Sequence, residues 1–111
     1  MSQVKDLKIK VLKEGQGPEA VSGKKVTVHY TGKLRDGKVF DSSEQRKVPF
    51  PFTLGSGQVV QGWEKGVEGM KVGERRELTI PPSMAYGEKG VGTIIPPNAV
   101  LIFEIELIAV D

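Results

Sequence analysis

The sequence predicts an α+β domain, an antiparallel sheet of about five strands with one short helix against a face. Three observations lead there. Apolar and polar residues alternate over several short runs, the period of half-buried strands. Fourteen glycines and seven prolines punctuate those runs, as expected of a sheet-rich fold with long loops. One stretch alone, residues 59–67 and their continuation to Met70, carries a helical stripe: Val60, Trp63, Val67 and Met70 recur on a 3.6-residue period. Gly62, Gly66 and Gly69 within it each weaken an isolated helix by about 1 kcal/mol relative to alanine. Packing against the sheet must therefore supply its stability. Trp63, the sole tryptophan, sits mid-helix, and the other aromatics lie in strands or in loops leaving them. The rings are expected to converge on Trp63 and line one apolar pocket.

The elements follow in order. Leu7, Ile9 and Val11 alternate with Lys8 and Lys10 and read as a half-buried strand, ended by Gly15-Gln16-Gly17-Pro18. Residues 24–34 are the best strand, with Val26, Val28 and Tyr30 on one face and Thr27, His29 and Thr31 on the other. Asp36-Gly37 predicts a tight hairpin turn and a return strand through Val39 and Phe40. Residues 47–54 hold Pro49 and Pro51, which cannot donate to a ladder, so this strand belongs at an edge or at a bulge. Gly55-Ser56-Gly57 turns the chain into the helix. Arg76, Leu78 and Ile80 against Arg75, Glu77 and Thr79 form the next strand, stopped by Pro81-Pro82. Residues 83–98 are a long Gly- and Pro-containing loop, of a length usually functional in compact domains. Leu101, Phe103, Ile105 and Leu107 alternate with Glu104 and Glu106 in a closing strand.

Composition excludes much. A chain of 111 residues is one domain, 1–111, with residues 1–6 expected as a loosely ordered extension. Lysine and arginine number sixteen against fourteen acidic residues, a net charge of +2, and the charges are dispersed. No nucleic-acid partner is expected. Cysteine is absent, which suits a reducing compartment. The first residues lack a signal-peptide core and no apolar run reaches membrane-span length, so a cytoplasmic monomer is the expectation. One histidine without cysteine makes no zinc site of ordinary composition, and no metal or cofactor is expected. Gly55-Ser56-Gly57 and Gly90-Val91-Gly92 do not extend to a phosphate-loop or dinucleotide pattern, and no serine has a nucleophile-elbow context. His29 alternates away from the pocket face and reads as a partly exposed or hydrogen-bonded strand histidine. A reaction here needs neither a strong nucleophile nor a metal.

Six segments in order then carry a resemblance: VHYTG (28–32), DGKVFDSS (36–43), PFPFTLG (49–55), VVQGWEKGV (59–67), AYGEKG (85–90) and IIPPNAVLIFEIEL (94–107). Together they resemble the FKBP-type peptidyl-prolyl isomerases, the immunophilins that bind tacrolimus and rapamycin, over nearly the whole chain from Leu7 onward. The resemblance implies a half-barrel of roughly five to six antiparallel strands wrapped around one short helix. It implies rotamase activity on X–Pro bonds in protein folding, without a cofactor. The pocket would be floored by Trp63 and walled by Tyr30, Phe40, Phe50, Val59, Val60, Ile94, Ile95 and Phe103, with Tyr86 at its mouth. Asp41 would be the polar residue within it, and Arg46 is similar to the arginine that pairs with that carboxylate. Asp41, Tyr86, Phe40 and Trp63 would carry catalysis, the Val60 N–H and the Tyr86 hydroxyl each reaching a ligand carbonyl. Phe52 is expected in the core. Asp41, ahead of Ser42-Ser43, is also suited to capping a turn.

The implied partners are proline-containing peptides and client proteins, macrolide inhibitors, and a drug-dependent phosphatase or kinase. Val91, at the loop tip, departs from the histidine or aromatic residue often found in the family, which bears on loop contacts rather than on the pocket. The competing reading is a binding module for a client or receptor with incidental catalysis. A general chaperone fits less well, since residues 83–98 leave no room for an inserted domain.

Overall fold

The computed structural model describes residues 6–111. The expected N-terminal extension, Asp6 apart, lies outside the described residues. The chain runs through β1 (Lys8–Lys13), β2 (Lys25–Leu34), β3 (Val39–Ser42), a one-turn helix α1 (Ser43–Arg46), β4 (Phe50–Thr53), α2 (Gln61–Val67), β5 (Arg75–Ile80), a 3₁₀ turn at Pro82–Met84, and β6 (Leu101–Val110). Six strands form one sheet in the order β1-β5-β6-β2-β3, with β4 also on β2. Every pairing is antiparallel. This is the α+β architecture expected.

The alternation in β2 and β6 decides which face is covered. Val26, Val28 and Tyr30 of β2 and Leu101, Phe103, Ile105 and Leu107 of β6 are all buried. Full burial of one such aliphatic or aromatic side chain stabilises by about 1.5–3 kcal/mol. Helix α2 lies on this face with Trp63 and Val67 inward, and Met70 follows them into the core. Its glycines now have a reason. A Cβ at Gly62 would stand 2.5 Å from Ile80 Cγ2, and one at Gly66 would stand 2.4 Å from Leu78 Cδ1. What weakens the isolated helix lets it approach β5 closely.

The helix is shorter than its stripe. It ends at Val67, and Gly69 turns the chain at φ +87°. Its terminal carbonyls are met by Arg76, whose Nη1 donates to Gly66 O at 3.1 Å and Glu68 O at 3.2 Å. Glu74, 5% exposed, holds that arginine, accepting from Arg76 Nε at 2.6 Å and from Lys71 N at 2.9 Å.

The hairpin forms as expected, with Gly37 at φ +93° and its N–H donating to Leu34 O at 2.9 Å. Strand β4 is an edge, paired with β2 alone. Two expectations fail. β1 is not half-buried: Ile9 and Val11 are each 45% exposed, because β1 flanks β5 beyond the strip that α2 covers. Helix α1 was not anticipated, since four residues are too few to carry a period. Its cap is Ser42 rather than Asp41, the Ser42 Oγ accepting from Gln45 N at 3.2 Å.

Candidate functional site: an aromatic cavity over Trp63

Between the helix, the sheet and the loop after β5 lies a cavity of about 430 Å³. Tyr30, Phe40, Asp41, Phe50, Val59, Val60, Trp63, Tyr86 and Phe103 line it, joined by Gln58 and Ala85. Trp63, the floor, is 5% exposed and meets other rings edge-on. Its ring centroid lies 4.9 Å from Tyr30 at 75°, 5.2 Å from Phe103 at 90° and 5.9 Å from Phe50 at 82°. Phe40 stands edge-on to Phe103 at 5.5 Å. Such pairs contribute about 0.5–1.5 kcal/mol each beyond area burial and hold the rings to one another. Gly32 permits it: a Cβ there would lie 2.6 Å from Phe103 Cε1 and 2.7 Å from Phe40 Cζ. Trp63 Nε1–H is buried without an acceptor among the described residues. Phe52 is buried behind the floor, stacked on Phe50, and does not reach the cavity.

One charged corner interrupts the lining. The Tyr30 hydroxyl donates to Asp41 Oδ2 at 2.6 Å, Arg46 Nη2 donates to the Tyr30 hydroxyl at 3.0 Å, and Arg46 Nη1 donates to Asp41 Oδ1. Burial raises the Tyr30 phenol above its ordinary value, and accepting Asp41 beside it raises it further. Burial alone would also raise Asp41. The hydrogen bonds from Tyr30 and Arg46 outweigh it and hold the carboxyl below the usual aspartate value. Arg46 is raised by donating to Asp41 and then to Tyr30. The corner is thus a fixed carboxylate, its lone pairs engaged by donors from the protein.

The rim is held from both sides. Glu64, in the first turn of α2, accepts from Gly55 N and Gly57 N at 3.1 Å each, one with each carboxylate oxygen, and so fastens the segment leading to Val59. Val60 precedes the helix, and its carbonyl accepts from Trp63 N and Glu64 N. The Val60 N–H has no backbone acceptor among the described residues. Opposite, Tyr86 is 41% exposed at the mouth. Its loop is closed on itself: Val91 N donates to Ile95 O at 2.8 Å, Ile95 N to Val91 O at 3.1 Å and Asn98 N to Gly87 O at 2.8 Å.

Residues 17–108 match the family model of the FKBP-type peptidyl-prolyl cis-trans isomerase. The chain belongs to this family. It is 57% identical over 102 residues to the FK506-binding protein of Neisseria meningitidis serogroup A, covering 92% of this chain and 94% of that one. It is 54% identical over 102 residues to FK506-binding protein 1 of Dictyostelium discoideum, covering 92% and 95%. The crystal structure of AtFKBP13 superposes with a TM-score of 0.87 at 43% identity, covering 93% of this chain and 91% of that one.

Within this FKBP domain, two residues expected in the pocket walls, Ile94 and Ile95, are not among the residues that line the cavity. Ile94 is 55% exposed and Ile95 4% exposed; the bridge between Val91 and Ile95 turns one outward and the other into the core. Arg46 stands behind the wall, against Tyr30 and Asp41. Gln58 and Ala85 went unread in the sequence. Their one signal was adjacency to Val59 and to Tyr86, since neither side chain announces a site by its chemistry. His29 lies off the pocket, hydrogen-bonded to Ser43.

Proposed function

We propose that this FKBP domain is a peptidyl-prolyl cis/trans isomerase that acts on X–Pro bonds of peptides and client proteins without covalent chemistry. Rotation about that bond faces a barrier of about 18–20 kcal/mol because amide resonance must be broken. The twisted amide has lost resonance and is less dipolar than the planar one, so an apolar box stabilises it relative to substrate in water. The observation that carries the reading is the ring-walled cavity over Trp63, in which Asp41 is the one charged side chain among the lining residues. Trp63, Phe40, Tyr30 and Phe103 would grip the proline ring. The Val60 N–H and the Tyr86 hydroxyl would hold the flanking carbonyls in a turn that favours rotation. Each tenfold gain in rate requires about 1.4 kcal/mol, so a few such contacts supply several decades.

The same cavity suits tacrolimus- and rapamycin-type macrolides, which the names of its relatives support for the first. A chain without cysteine is at ease in the cytoplasm, the compartment we assign it. The test is exchange NMR on a Leu-Pro peptide with the wild-type domain, Asp41→Val and a rapamycin-blocked sample. Exchange catalysed by the wild type and abolished by the drug is the expected result. Drug binding without exchange would overturn catalysis in favour of a binding module. Neither activity would overturn the whole reading.

A further inference from the structure

Strand β2 is paired along one side by β6, with Tyr30 opposite Ile105. Its other side is shared by two short strands with a gap between them. β4 pairs Lys25 to Val28 and β3 pairs Thr31 to Lys33, leaving His29 and Tyr30 without a strand neighbour there. The polar groups of Tyr30 on that side are nonetheless satisfied. Ser43 Oγ accepts from Tyr30 N at 2.7 Å and donates to Tyr30 O at 3.3 Å. Ser43 is fully buried, at 0% exposure. One side-chain hydroxyl thus replaces a strand partner at the residue whose ring walls the cavity.

The hydroxyl has one proton and two acceptor sites. Tyr30 N takes one acceptor site, and Tyr30 O at 3.3 Å and His29 Nδ1 at 3.0 Å compete for the proton. With the proton on Tyr30 O, His29 Nδ1 donates to the remaining site. That arrangement puts the proton of the neutral His29 ring on Nδ1. Ser43 also begins α1, whose last residue, Arg46, holds the far end of Tyr30 through its hydroxyl and through Asp41. The segment from Asp41 to Arg46 therefore grips Tyr30 twice, at the backbone and at the phenol.

We propose that Ser43 is a positioning residue for the isomerase pocket, setting the place of Tyr30 and of the Asp41–Arg46 corner. It touches no substrate and acts through Tyr30. The role rests on the cavity being the catalytic site argued above, and its test separates the two claims.

Ser43→Ala should remain folded, with kcat/KM on a Leu-Pro peptide lowered about tenfold, as misplacement of a pocket wall implies. The amide of Tyr30 should exchange faster with solvent, its acceptor being gone. Ser42→Ala removes the cap of α1 but not the contact to Tyr30, and its turnover should stay within about twofold of the wild type, the rigid site being otherwise unchanged. On the unmutated domain, nitrogen-15 NMR of the neutral His29 ring should find the proton on Nδ1. A proton on Nε2 overturns the hydrogen-bond assignment even if Ser43→Ala cannot be folded. Native turnover with native Tyr30 amide protection in Ser43→Ala overturns the positioning role. If the wild type itself fails to catalyse, the catalytic reading falls, while the His29 proton and the Tyr30 protection still decide whether Ser43 holds the wall.

Discussion

Gly66→Ala tests whether close approach, rather than chance, keeps glycine in α2. The new Cβ would lie 2.4 Å from Leu78 Cδ1, 2.8 Å from Cδ2 and 3.1 Å from Cγ. Carbon atoms prefer about 3.5–4.0 Å, so the helix or the leucine must move by about 1 Å. Leu78 is 0% exposed and has no open direction. Overpacking of this kind costs about 1–3 kcal/mol, against about 1 kcal/mol gained in helix propensity. The net expectation is a loss of about 1 kcal/mol. Leu78→Ala removes all three clashing atoms at a cost of about 2–5 kcal/mol for the cavity. In that background Gly66→Ala keeps the propensity gain and adds a methyl to empty space, so it should stabilise by about 1 kcal/mol. The coupling between the sites is then about 2 kcal/mol. Urea unfolding followed by Trp63 fluorescence and far-ultraviolet circular dichroism reads all four corners of the cycle. A Gly66→Ala variant that gains equal stability in both backgrounds would refute the close-approach argument.

Two further outcomes are expected. Gly32→Ala should drive Phe40 away from Phe103, since its Cβ would sit within 2.7 Å of both rings; the chain should stay folded while peptide turnover and macrolide affinity both drop, and unchanged values in both assays would contradict it. Acid titration reads the Asp41 corner. Its carboxyl is held below the ordinary value of 3.8, so the stabilisation is fully present above that value and is lost as pH falls through the lowered one. The stability difference between wild type and Asp41→Asn, measured in urea at stepped pH, should be constant at neutral pH and shrink under acid. The exposure of the pair, 50% for Arg46 and 39% for Asp41, keeps the effect small and salt-sensitive. A difference that widens on acidification would reverse the assigned shift.

Local order was legible in the chain itself. Alternation over residues 24–34 and 101–107 dictated two strands buried on one face, and the stripe through Trp63 dictated the helix. Both are periodicities that a residue and its near neighbours carry alone. The aromatic content made Trp63 a natural centre, and the rings do gather there. What tertiary structure alone decided depends on pairing between distant segments. The gap between β3 and β4 exists only once both lie on β2. Without it, Ser43 has no reason to be buried and α1 no anchor. The exposure of β1 follows from where α2 stops covering the sheet, which no pattern in Lys8–Lys13 reveals. Ile94 and Ile95 are chemically alike, and only the bridge from Val91 sends one out and the other in. A side chain's type states what it can bury or bond. Which face it shows, once the backbone leaves regular structure, is set by the long-range contacts that hold the loop.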